Sequence, residues 1–212
     1  MPPVTSAAAE DHALRVGGVI LCGGRSSRMG RPKAWLPFGP ETFLQRVVRI
    51  VGSVVSPVVV VAARDQELPP LPEGVLIARD EHESQGPLAG LSAGLRVLGQ
   101  QVDAVYASSC DVPLLKPEFV QMLVDSLGEF ELVIPREDRF HHPLAAVYRR
   151  SLLDRIDALL AAGQLRPLFL VQQSRSREID VDELRPVDPD LQSLRNANTP
   201  EEYAALLQLF KG

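Results

Sequence analysis

The sequence predicts an α/β fold: a mostly parallel sheet with helices on both faces and an antiparallel insertion. Three observations predict it. Short apolar runs alternate with helix-period segments three times in the first half, the first run ends at paired glycines, and two strand-like runs lie close together in the second half. With 212 residues and 45% hydrophobic content, the chain suits one domain that buries a sizeable core. Residues 1–15 read as a flexible tail and 16–212 as that single domain.

Residues 18–22 are apolar without alternation, as expected of a strand buried on both faces. Residues 42–54 place Phe43, Val47, Ile50, Val51 and Val54 on one helical face, and the β-branched run 58–61 follows as a strand. Pro69, Pro70 and Pro72 mark a loop, 75–77 a short strand, and Arg79-Asp80 its end. A helix over 88–98 leads to a strand at 104–107. In the second half a helix over 119–127 precedes a strand at 132–135, a polar turn at 136–139 and a strand at 144–148. Their close spacing is what predicts the antiparallel insertion. Ser151 opens a helix carrying Leu152, Leu153, Ile156, Leu159 and Leu160. Thr199-Pro200-Glu201-Glu202 combines an N-cap, a proline at the first helical position and a glutamate at N3, so a last helix runs to about residue 210.

Composition narrows the function. A net charge of −5 argues against broad nucleic-acid binding. Cys22 and Cys110 lack disulfide-framework or metal-site spacing, which suggests a reducing compartment. The first sixteen residues have neither a basic start nor a continuous apolar core, and no apolar stretch reaches the roughly 20 residues of a membrane span. The expectation is a cytoplasmic protein with no membrane partner.

After the first strand, Gly23 and Gly24 let backbone N–H groups approach an anion, and Arg25, Arg28, Arg31 and Lys33 put four cations within nine residues. A polyphosphate is the natural counter-charge. The Walker pattern fails because Gly24 and Gly30 are too far apart and Arg31-Pro32 follows; the dinucleotide pattern fails because Arg25 and Ser26 stand where its second glycine belongs. Open parallel sheets bind ligands beyond the carboxyl ends of their strands. Asp80 and Asp111 each follow a predicted strand, so they and the glycine loop are expected to converge there. From position alone Asp111 is a Mg²⁺ ligand or a turn former before Pro113. Asp80 is an acceptor for a guanine edge or ribose hydroxyls, or a charged loop start. His141 and His142 are neighbours on a strand, face opposite ways and do not readily share one ion. Trp35 reads as core packing, and no Ser-His-Asp constellation points to covalent catalysis.

The stretch LCGGRSSRMGRPKAWLPFG resembles the signature loop of the molybdenum cofactor guanylyltransferases, approximately LAGG-x-S-x-RMG-x-x-KA-x-L. The resemblance covers nearly the whole chain. It implies a three-layer α/β/α Rossmann-like nucleotidyltransferase fold and Mg²⁺-dependent transfer of GMP from GTP to molybdopterin, with release of pyrophosphate. It makes Lys33, Arg28 and Asp111 catalytic, with Asp111 (in Cys110-Asp111-x-Pro113) holding the metal. Leu21, Cys22, Gly23, Gly24, Lys33, Asp80, Gly86, Pro87, Leu88 and Asp111 are implied to bind GTP. His142 (with Pro143), Asn196 and Asn198 fall on the acceptor side, and molybdoenzyme assembly proteins are implied partners. Arg25 and Arg31 are expected to face solvent near the phosphates. One departure is Val61, where some members place an Asn that contacts the nucleotide. Two alternatives stay open: a cytidylyltransferase of the same cofactor, and a nucleotidyltransferase for another phosphorylated metabolite. The paired glycines and Gly86-Pro87-Leu88-Ala89-Gly90 favour guanine by analogy.

Overall fold

The computed structural model describes residues 13–23, 31–80 and 85–211. Gly24, Arg25 and Arg28 of the basic loop, and residues 1–12 of the expected tail, lie outside the described residues. Arg15, the last residue of that tail, is fastened: its guanidinium lies 2.8 Å from the Asp103 carboxylate, and its carbonyl accepts the Asp103 amide. The Arg15 hydrogen bonds pull the Asp103 carboxyl down to about 2.

The strands are β1 (Val16–Leu21), β2 (Pro37–Phe38), β3 (Glu41–Thr42), β4 (Val58–Ala63), β5 (Leu76–Asp80), β6 (Ala104–Ser109), β7 (Leu132–Glu137), β8 (Phe140–His141), β9 (Ala145–Arg149) and β10 (Ser176–Asp180). The α-helices are α1 (Phe43–Gly52), α2 (Gly86–Leu98), α3 (Pro117–Asp125), α4 (Leu153–Ala161), α5 (Pro167–Gln172) and α6 (Pro200–Lys211). The main sheet runs β5-β4-β1-β6-β9-β7-β10, with β8 attached to β7, and β2-β3 form a separate hairpin. Along that path β9 alone is reversed, pairing antiparallel with β6 and β7, while the remaining pairs are parallel. This is the expected antiparallel insertion, and helices cover both faces.

Strand periodicity divides the apolar residues between those faces. Val58 and Val60 enter the core under α1 and α3, whereas Val59 and Val61 enter the core under α2, α4 and α5. Ala104 and Tyr106 alternate with Val105 and Ala107 in the same way. A third cluster joins Phe38, Phe43 and Leu114 to Ala197 and Leu206, and so seats α6 beside the β2-β3 hairpin. Local signals set the helix starts. Thr42 caps α1 in a reciprocal box with Gln45, and Thr199 with Glu202 does the same before α6.

The expected elements appear with their edges shifted by a few residues. Not expected were the β2-β3 hairpin, the short strand β8, α5 and β10. Strand β10, SREID, buries only Ile179, because it is an edge strand that offers one apolar residue to the core.

Helix α2 lies close on β1 through glycines. A Cβ on Gly94 would come within 2.6 Å of Val19 Cγ1, and one on Gly90 within 2.9 Å of Leu21 Cδ2. Val19 is fully buried and stiff at χ1, so it has no room to retreat. Gly94→Ala is expected to destabilise the chain by about 1–2 kcal/mol: overpacking costs roughly 1–3 kcal/mol and helix propensity returns at most about 1 kcal/mol. Urea denaturation measures this, and unchanged or raised stability would show that α2 can ride outward from β1.

Candidate active site

A cleft of about 530 Å³ opens at the carboxyl ends of the parallel strands. Leu21, Cys22 and Gly23 reach it from β1, Val61 and Ala63 from β4, Asp80 from β5, and Ser109, Cys110 and Asp111 from β6. Gly86, Pro87 and Gly90 at the start of α2 complete this side. Because β9 runs the other way, its first residue lies at the same rim. His141, His142, Pro143, Leu144 and Ala145 therefore line the cleft, facing the sheet's β5 edge across Asp111. Ser193, Leu194 and Asn196 close that second side.

The centre is a cluster drawn from three distant segments. Lys33, in a short helical turn, places Nζ 2.6 Å from Asp111 Oδ2 and 2.6 Å from Asn198 Oδ1. Asp111 is only 6% exposed, and the hydroxyl of Ser109 donates to its other oxygen. A carboxylate this deep must be paired, since a lone charge there would cost several kcal/mol of lost hydration. The turn after Asp111 is braced by Arg46, whose Nε donates to the Pro113 carbonyl at 2.6 Å. The Arg46 guanidinium in turn lies 5.2 Å from the centroid of Phe38 and 4.7 Å from that of Phe210.

The sequence-predicted residues distribute as follows. Lys33, Asp111 and Asn198 meet directly. Leu21, Cys22, Gly23, Asp80, Gly86, Pro87, His142 and Asn196 line the cleft. Leu88 corrects the expectation: it is 1% exposed and packs with Leu91 and Leu95 in the core, so it supports α2 from beneath. Trp35 corrects another, being 40% exposed with its indole N–H on the Glu67 carbonyl at 3.1 Å. Arg31 is exposed, and Gly24 and Arg28 lie outside the described residues. At Val61, the departure from the resembling family, the cleft has an apolar side chain. Nearby, Gln66 accepts the Ala63 amide at 3.1 Å and donates to the Cys22 carbonyl at 3.1 Å, tying the ends of β4 and β1 together.

Sequence reading missed Ser109, Gln66 and Arg46. Ser109 stands two residues before Asp111, the spacing at which a hydroxyl and a carboxylate commonly bond across a turn. Arg46 and Gln66 act through backbone carbonyls, which no side-chain motif reveals.

Cys22 and Cys110 are both buried free thiols. Their mutual hydrogen bond, and then burial, raise the Cys110 pKa well above its ordinary value, so it remains a thiol and is a poor soft-metal ligand. Burial lowers the pKa of His142, with Glu137 opposing, so the ring is neutral at pH 7. The donors around Asp111 are hard oxygens: its carboxylate, the Ser109 hydroxyl and the Asn198 carbonyl. Among the described residues, no group of three or more His, Cys, Asp or Glu could cage a metal unaided. That set fits Mg²⁺, which commonly takes one or two protein carboxylates and fills its octahedron with phosphate oxygens and water. No helix among the described residues is long and apolar enough to cross a membrane.

With this geometry established, known proteins give a consistent comparison. The family described as the MobA-like NTP transferase domain matches residues 18–177. A Mycobacterium ulcerans protein named "Probable molybdenum cofactor guanylyltransferase" is 40% identical over 202 residues, covering 92% of this chain and 95% of that protein. A Mycobacterium tuberculosis protein of the same name is 39% identical over 196 residues, 90% of this chain and 92% of that one. Molybdopterin-guanine dinucleotide biosynthesis protein A from Archaeoglobus fulgidus shares the fold, with a TM-score of 0.76 at 23% identity over 92% of this chain and 98% of its own. A nucleotide-sized cleft at the strand ends, built around Lys33 and Asp111, thus occurs in a chain that belongs to the MobA-like NTP transferase family.

Proposed function

We propose that this chain is a molybdenum cofactor guanylyltransferase, which transfers GMP from GTP to the terminal phosphate of molybdopterin and releases pyrophosphate. The single observation that carries the reading is the Lys33-Asp111 contact in the cleft that Gly23, at the end of β1, also lines. An acceptor phosphate oxygen forms a bond to the α-phosphorus of GTP as the bond from that phosphorus to the bridging oxygen breaks, and the electron pair leaves with pyrophosphate. A phosphate nucleophile is already ionised at neutral pH, so no strong general base is required. Positioning and charge stabilisation therefore supply most of the rate.

The chain's residues divide that work along the cleft. The β5 side takes the nucleotide, with Asp80 accepting from the base or ribose, and Gly86 and Pro87 forming a wall. Leu21, Cys22 and Gly23 offer backbone contacts to the nucleotide from the end of β1, and Gly23 leaves room for close approach; Gly24 is assigned the same role from the sequence. Lys33 and Arg28 neutralise the triphosphate and the charge that builds on the leaving group. Asp111, with Asn198 and Ser109 beside it, would hold Mg²⁺; when bound, that cation supplies charge neutralisation and polarises phosphate oxygens. His142, Asn196 and Asn198 face the acceptor. His142 presents a neutral ring, which hydrogen-bonds an anionic acceptor without adding a second strong cation. We place the reaction in the cytoplasm, with molybdoenzyme assembly proteins receiving the product.

Pyrophosphate release from GTP, molybdopterin and Mg²⁺ tests the assignment. Asp111→Asn and Lys33→Met are each expected to lower kcat by about 10²- to 10³-fold, the scale of losing one preorganised charge at a transition state. Release unaffected by Asp111→Asn would remove the aspartate from the mechanism. CTP used in preference to GTP would assign the chain to the cytidylyl branch. By NMR, the His142 ring is expected to titrate below its ordinary value of 6.5. The unfolded chain then takes up that proton first, so stability falls as pH drops through and below about 6.5, and His142→Gln removes this part of the slope. A midpoint at or above 6.5 would show a hydrated, charge-stabilised ring instead.

A further inference from the structure

The second side of the cleft depends on a loop. Ser193 and Leu194 belong to a single short helical turn, Gln192–Leu194, and Asn196 follows without regular structure. A wall of this kind would ordinarily have to be ordered by its ligand, at a cost in affinity. Here it is fixed beforehand. Asp188 is 0% exposed, its Oδ1 lies 2.8 Å from Lys116 Nζ, and its Oδ2 accepts the Ser193 amide at 2.7 Å. The Ser193 hydroxyl closes the ring by accepting the Lys116 amide at 3.1 Å. Between them Leu191 is held in the left-handed region, at φ 50°, a conformation that this residue type rarely adopts unless its surroundings impose it. Downstream, the Ala197 amide donates to the Asp111 carbonyl at 3.2 Å, and Asn198 receives Lys33. The wall is thus pinned at one end to Lys116, just before α3, and at the other to Asp111 and Lys33.

Burial alone would raise the Asp188 pKa, but the Lys116 ammonium together with the Ser193 and Gln192 donors reverses this and holds it below the usual carboxylate value. Buried ion pairs give little stability that apolar side chains of similar size could not match. What an apolar replacement cannot do is accept the Ser193 amide at one fixed place.

We propose that Asp188 is a positioning residue of the acceptor subsite, setting through Ser193 the wall against which the phosphorylated acceptor seats. This rests on the guanylyl-transfer reading above.

The test is steady-state kinetics of the full chain in two double variants. Lys116→Met with Asp188→Leu removes both charges and the amide acceptor; Lys116→Met with Asp188→Asn removes the charges but keeps an oxygen for Ser193. The first is expected to raise KM for molybdopterin about tenfold, with kcat and the KM for GTP within about twofold, and the second to recover to within about threefold of the parent. Should the first fail to fold, Ser193→Ala, which loses only the hydroxyl link to Lys116, is expected to raise the acceptor KM about threefold. An unchanged acceptor KM, or an equal rise in both KM values, overturns the positioning role. A parent enzyme that does not transfer GMP to molybdopterin overturns the underlying reading instead.

Discussion

A nearly buried carboxylate held 2.6 Å from a lysine ammonium organises this molecule, because that carboxylate is not tolerable there without a partner. The pair joins positions 78 residues apart, and Asn198, which completes it, lies 165 residues from Lys33. Much of the remaining architecture follows from keeping these groups together. The parallel order of β1 and β6 brings the Lys33 segment beside Asp111. The third hydrophobic cluster and the Arg46 brace hold the β2-β3 hairpin, α6 and the Pro113 turn around them. The proposed reaction adds an exchange of partners: in it a cation takes Asp111, and the Lys33 ammonium passes to the triphosphate.

The reversed strand is the second organising feature. In an all-parallel sheet only carboxyl ends reach the ligand edge. With β9 inserted antiparallel between β6 and β7, the connection entering it arrives at that edge too and delivers His142 opposite Asp80. One cleft thus gains two chemically different ends on either side of Asp111. That suits a reaction joining two anionic partners, which must be brought together while their mutual repulsion is neutralised.

The parts of this arrangement written as local patterns were legible in the sequence. The β-branched run at 58–61 declares a buried strand, Thr42 and Thr199 declare helix starts, and the glycine loop with Asp80 and Asp111 declares a strand-end site. Strand β10 was not legible, because an edge strand needs only Ile179 on the core side and otherwise reads as a charged loop. Leu88 was misplaced because adjacency to Gly86 and Pro87 in sequence does not survive the helical turn, which rotates it into the core. Ser109 and Asp188 escaped for a different reason. Their importance lies in which hydrogen bonds burial forces them to make, and burial is a property of the assembled fold.

The central claim is that Lys33 and Asp111 form the reaction centre and exchange partners when nucleotide and cation arrive. A crystal structure of the chain with GTP and Mn²⁺ tests this most directly. The account predicts the cation on the Asp111 carboxylate, Lys33 Nζ moved onto phosphate oxygens, and the guanine on the Asp80 side of the cleft. GTP bound elsewhere, with the 2.6 Å Lys33-Asp111 contact intact, would contradict it.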